Sequence, residues 1–123
     1  MNNLDDSVLL STKKAIGYEP DYDVYDSDIM LHINSLLSKL IQVGYDFKPN
    51  YRVTSKEKLW SDILVGSPVD DMIKDYIYIK TKLVFDPPQN ATVLTVMKEE
   101  ASELEWRVFF NSETERSDQN GSW

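Results

Sequence analysis

Ile29, Ile33, Leu36, Leu40 and Val43 recur at steps of 4, 3, 4 and 3 along the chain. That spacing lines up side chains on one face of an α-helix, whereas in a strand the odd steps would send neighbours to opposite faces. Met30, Leu37 and Ile41 widen the stripe, and Gly44 follows it as a stop. The pattern predicts a long helix over Ser27–Val43, buried on more than one side. A second stripe, Leu94, Met97, Ala101, Leu104 and Val108, steps by 3, 4, 3 and 4. It predicts another long helix from an Asn90 cap to about Phe110. On this helix Glu99, Glu100, Glu103 and Glu105 are solvated, and Glu103 can pair with Arg107 one turn later.

The rest of the chain reads as shorter helices and connections. Ser7–Ile16 is a first helix, with Asp5, Asp6 and Ser7 as cap candidates, Lys13 and Lys14 suited to its C-terminal end, and Gly17 beyond it. Tyr18–Tyr25 follows as an ordered acidic loop, and Tyr45–Val53 as a connection with room for a short extended piece. Thr54 and Glu57 have capping-box spacing. They are expected to open a short helix that turns Leu59, Trp60, Ile63 and Leu64 inward and stops at Gly66 and Pro68. Over Met72–Phe85 two signals compete. Tyr76-Ile-Tyr-Ile79 has strand composition, but Met72, Ile73, Tyr76, Ile77, Lys80, Leu83 and Val84 keep helical spacing. The acids Asp70 and Asp71 before it and Asp86-Pro87-Pro88 after it favour helix. The two prolines are expected to set a rigid corner between the last two helices. The fold class that results is all-α: a compact bundle of about five helices, two long, with the two long stripes packed on each other and on Met72–Val84. Residues 1–110 form this helical domain. Residues 111–123 carry no apolar side chain before Trp123 and are expected to be a flexible polar tail.

Composition then narrows the function. The chain has 123 residues, no Cys, one His and a net charge of −8. Without Cys there is no disulfide, iron–sulfur or thiolate-zinc chemistry. The acidic balance argues against gripping duplex DNA, which calls for a basic patch. No leader pattern is visible at Met1 and no apolar run approaches the ~18 residues of a membrane helix, so the chain is expected to be soluble and to work where it is made.

No pattern in the chain carries catalytic or metal-binding chemistry. His32 stands beside the core position Ile33 and has Leu36 at i+4, where a metal site would place a second ligand; it reads as a packing or surface residue. Glu19, Asp21, Asp23, Asp26 and Asp28 invite a calcium reading. Counted from Asp21, however, the loop has Asp26 where an EF-hand needs Gly and His32 where it needs the bidentate Glu. Glu99, Glu100 and Glu103 face water, where nothing raises a carboxyl pKa. There is no glycine-rich phosphate loop, nucleophile elbow or Ser/His/Asp set. No catalytic residue, metal ligand or cofactor is expected, and the chain is read as not an enzyme. Tyr18, Tyr22, Tyr25, Tyr45, Phe47 and Tyr51 lie in connections, and Trp106, Phe109 and Phe110 crowd the last helix end. These aromatics suit two readings equally, loops laid down on the core or contact with another protein.

Two segments carry a resemblance. Tyr76-Ile-Tyr-Ile-Lys-Thr-Lys-Leu-Val-Phe-Asp-Pro-Pro88 and Glu103-Leu-Glu-Trp-Arg107 resemble the head–tail connector proteins of long-tailed bacteriophages, also called head-completion or adaptor proteins. The order of elements is similar as well, from the first short helix through the acidic loop, the helix bearing Asp28-Ile-Met-Leu-His-Ile-Asn34 and the Trp60-Ser-Asp62 helix. The likeness covers about residues 4–110. It implies an α-helical adaptor of the virion's head–tail interface, assembled in the host cytoplasm as a ring of about twelve copies under the portal protein. Such a ring extends the DNA channel and offers a docking surface to a stopper or tail-completion protein, with no cofactor, no membrane and no specific DNA binding. An acidic channel wall would repel phosphate and let DNA pass.

A ring requires two different patches on each copy. The acidic segment Glu19, Asp21, Asp23, Asp26 and Asp28 and the lysines Lys56, Lys58, Lys74, Lys80 and Lys82 are opposite in sign and are the candidates for those patches, with Trp123 at the tip of the tail as an aromatic anchor. Two other classes remain open at this point. One is a small acidic antagonist that mimics DNA and occupies a nucleic-acid-binding protein; the other is a helical hydrolase or metal enzyme with a convergent polar pocket.

Overall fold

The computed structural model describes residues 6–120, with side chains through Thr114. Five helices follow in order: α1 (Val8–Ala15), α2 (Asp26–Gln42), α3 (Trp60–Ile63), α4 (Asp70–Phe85) and α5 (Ala91–Asn120). No strand occurs among the described residues; the one bridge pairs Ser7 with Leu59. The strand reading of Tyr76–Ile79 thus gives way to helix, as periodicity indicated.

Local chemistry accounts for most boundaries. Ser7 caps α1 by accepting the Leu10 amide at 3.2 Å. Gly17 and Gly44, just beyond α1 and α2, adopt φ of +87° and +114°, the left-handed conformation that ends a helix and that glycine takes without steric cost. The Asn90 carboxamide oxygen accepts the amides of Thr92 and Val93 at 2.9 and 3.1 Å and opens α5. Between α4 and α5, Asp86 leaves helical geometry at the residue preceding Pro87-Pro88 and holds Lys82 at 2.9 Å.

Two boundaries differ from expectation. Thr54 and Glu57 do not open a helix; Thr54 lies in irregular backbone and Glu57 in a turn, and α3 begins at Trp60. The working start signal is Asp62, whose carboxylate reaches back 2.9 Å to the Leu59 amide. Neighbours decide this start: the Val8 amide donates to the Lys58 carbonyl at 3.0 Å and the Trp60 amide to the Asp6 carbonyl at 2.7 Å, holding 58–60 extended against the chain before α1. The last helix also runs past Phe110 to Asn120. No Gly or Pro interrupts 91–120, and adding a turn to an existing helix avoids the cost of nucleation.

The core forms around Ile29, Ile33, Leu37 and Leu40 of α2, Ile73, Tyr76 and Ile77 of α4, Val8 and Leu9 of α1, and Trp60 and Ile63 of α3. Ser11 of α1 joins three elements: it accepts the Trp60 indole N–H at 2.9 Å and the Tyr78 hydroxyl at 3.1 Å. The connection 45–53 is laid on this core by Tyr45, Phe47 and Tyr51, whose rings contact in series. Tyr45 also donates to the Asp70 carboxylate at 2.8 Å and accepts the Val65 amide at 3.0 Å, fixing the start of α4.

α4 is the central helix. It touches α1 and α2 and makes its most extensive contact with α5. The stripes of α2 and α5 are expected to pack on each other and on α4; both pack on α4, but α2 and α5 share no extensive contact of their own, and Lys39 of α2 reaches Glu105 of α5 at 3.6 Å. Tyr76 donates to Glu105 at 2.9 Å, while His32 meets Phe85 and Tyr45 meets Asp70, so α2 and α5 both run antiparallel to α4. The α5 stripe is consequently only part-covered: Ala101 and Val108 are buried, whereas Leu94, Met97 and Leu104 are half-buried.

Candidate functional site

The acidic loop is held from beneath by a lysine. Lys13, fully buried, places its ammonium 2.8 Å from Asp26 Oδ1 and donates to the Pro20 carbonyl at 3.0 Å. Burying a cation is costly unless it is paired and hydrogen-bonded, so these contacts commit the loop to one path. Tyr18 completes the anchorage by donating to the Phe85 carbonyl at 3.3 Å and by packing on Tyr22 and Tyr25. Asp26 is therefore an internal ion-pair partner, while Glu19, Asp21, Asp23 and Asp28 stay exposed around Tyr22, Val24 and Tyr25.

The five candidate lysines are not gathered into one patch. Lys58 donates to the Asn50 carbonyl at 2.7 Å, Lys56 is exposed in the turn before α3, and Lys82 is paired with Asp86. Lys74 borders a hollow with Asp6, Asp70 and Asp71. Lys80 alone of the five enters the groove that opens where α2 and α5 flank α4. Trp123 lies outside the described residues.

That groove, of about 480 Å³, is lined by Tyr76, Leu83 and Ala101, by Lys39, Lys80 and Lys98 with the single carboxylate Glu105, and by His32. His32 packs edge-on to Phe85 at 5.9 Å. Burial lowers its pKa below the ordinary 6.5; a hydrogen bond to the Lys80 backbone opposes this and the Lys80 charge adds to it. The Tyr76 hydroxyl is pushed well above its usual range by burial and by its bond to Glu105. Lys39 and Lys98 escaped the sequence reading, although each stands one position from its helix's apolar stripe, a place that rims whatever the stripe packs against.

On the other flank of the α4–α5 pair lies a second hollow, of about 530 Å³, with the opposite sign. Asp75, Glu100 and Glu103 surround it, beside Tyr78, Leu104 and Arg107. Burial, and then the neighbouring Asp71, raise the Asp75 pKa. Arg107 is held by Glu103 at 2.6 Å, the i,i+4 pair expected from sequence.

The loop aromatics divide between the two readings offered for them. Tyr18, Tyr45, Phe47 and Tyr51 pack on the core. Tyr22 and Tyr25 are exposed, and near the described end of α5 Trp106 and Phe110 stack at 5.1 Å while 59% and 55% exposed. No cluster of three or more His, Cys, Asp or Glu side chains with metal-binding geometry occurs among the described residues, and no helix there is long and apolar enough to cross a membrane.

These features define an all-α domain with charged hollows on both flanks of the α4–α5 pair and with grouped exposed rings, a surface suited to protein contact. The sequence model of the family described as Phage connector protein matches residues 8–115. The chain belongs to that family of phage structural proteins. Comparison with curated proteins and with solved structures finds no match.

Proposed function

We propose that the protein is a head–tail connector of the virion that assembles as a ring of about twelve copies under the portal, extends the DNA channel and carries the surface on which a stopper or tail-completion protein docks. The observation that carries this reading is the family match across residues 8–115, which takes in α1 to α4 and all but the last five residues of α5. Two features support the finer points. Trp106, Phe109 and Phe110 on α5, together with Tyr22 and Tyr25 in the acidic loop, offer aromatic anchors for other virion proteins. A net charge of −8 disfavours phosphate adhesion, so a channel lined by this chain lets DNA through without holding it.

The test is to add purified protein to the portal encoded by the same phage and look for co-sedimentation and a ring of added density. Absence of binding at micromolar concentrations and moderate salt overturns the reading.

A further inference from the structure

The two flanks of the α4–α5 pair are opposite in charge: Lys39 is paired with Glu105 and Glu103 with Arg107, which leaves Lys80 and Lys98 on one flank and Asp75 and Glu100 on the other. Lys80 and Lys98 have no carboxylate partner among the described residues, and Asp75 and Glu100 have no cationic partner within ion-pair distance there. Lys80 projects from α4 into the groove facing α2. Asp75 leaves the same helix toward the opposite hollow, and on α5 Lys98 and Glu100 diverge in the same way. On a helix, positions five apart are rotated by about 140° and positions two apart by about 200°. The groups therefore cannot meet inside one copy.

We propose that this pair of flanks is the contact between neighbouring copies: the α5 ridge bearing Glu100 and Glu103, with Asp75 beside it, enters the Lys39–Lys80–Lys98 groove of the next copy. The inference rests on the ring reading and specifies its interface. A head-to-tail assembly joins two different patches, and a closed ring places them on roughly opposite sides of each subunit. Oppositely charged flanks of one helical hairpin meet that requirement. Each new copy exposes the same groove and the same ridge again, so the contact propagates until it closes. Complementary charge sets register and excludes the reversed orientation, in which lysine would face lysine. The apolar lining of the groove, Leu83 and Ala101, supplies the surface that is desolvated alongside the charges.

Charge reversal tests this on the portal. The variants K80E/K98E and D75K/E100K each place like charges across the contact, and the quadruple variant restores opposite charges with the polarity exchanged. Wild type should fill the portal as a ring, each double variant should lose ring density, and the quadruple variant should recover it. Thermal melts accompany each variant; should a double variant melt early, the singles K98E and E100K and their combination take its place, both residues being exposed. Rings from both double variants overturn the interface and leave the connector reading standing. Loss that the quadruple variant does not repair also overturns it, because the two flanks then do not meet. Wild type that binds no portal overturns the connector reading and this interface with it.

Discussion

Asn34, in the middle of α2, treats Val53 as a strand would: its side-chain amide donates to the Val53 carbonyl at 2.9 Å, and its side-chain oxygen accepts the Val53 amide at 2.8 Å. Both residues are buried, so the carboxamide satisfies a stretch of backbone that no helix or sheet accommodates. Asn34→Leu, apolar and of similar size, leaves both Val53 groups without partners. An unsatisfied buried amide costs about 1–3 kcal/mol, and the urea midpoint should fall accordingly. Hydrogen exchange at the Val53 amide should accelerate more than at Ile33, which separates release of the connection from general loosening.

Lys13 and Asp26 yield a second expectation. Removing one partner of a buried ion pair costs up to about 3–5 kcal/mol, because the other charge stays behind; Asp26 is 25% exposed, which puts this pair toward the lower end. Asp26→Ala should therefore destabilise far more than Asp28→Ala, whose carboxylate is exposed. Lys13→Met combined with Asp26→Ala should recover part of the loss, and denaturation of the four proteins as a double-mutant cycle measures the coupling.

Core truncations should separate by helix. Leu37 of α2 is fully buried, while Leu104 of α5 is only part-covered. Leu37→Ala should cost about 2–5 kcal/mol, as core truncations do, and Leu104→Ala clearly less. Glu100→Ala should scarcely move the unfolding midpoint. Equal losses at Leu37 and Leu104 would mean that α5 is more deeply packed than described.

His32 predicts the sign of a pH effect. Its folded pKa lies below the unfolded 6.5, first through burial. Between the two values the unfolded chain binds more protons, so stability rises with pH there. The contribution is complete above 6.5 and is lost as pH falls through the folded value. Lys39, Lys80, Lys98 and Glu105 are the charged groups that share the groove with it. Urea midpoints of wild type and His32→Gln, compared between about pH 5 and about pH 7.5, should show a smaller acid loss in the variant. Parallel profiles would refute the assignment.

The helices were legible because their signals are local. The 4-3-4-3 spacing in α2, glycine after α1 and α2, the Asn90 cap and the Asp86-Pro87-Pro88 stop act over one or two turns, and a linear reading contains all of them. Trp60 and the start of α3 were misplaced for the complementary reason: a capping-box pattern at Thr54 and Glu57 is also local, but backbone pairing with Asp6 and Val8, some fifty residues away, holds that stretch extended. The docking surface was legible only in part. Lys80 was singled out, yet Lys39 and Lys98 were not, and Glu100 and Glu103 were read as merely solvated.

Apolar periodicity tells which face of a helix seeks cover, and here, with the cap and stop residues, it specified an all-α chain, most of its helix ends and most of its core. It does not tell which neighbour supplies the cover. Both α2 and α5 offered stripes, and both pack on α4, opening the groove that Lys39, Lys80 and Lys98 help to line. Lys13 reads in sequence as a helix-end charge and is in the fold the buried anchor of the acidic loop, because Asp26 and the Pro20 carbonyl converge on it. The energy of a charge depends on the groups within a few ångströms of it, and chain folding over long separations brings those groups there.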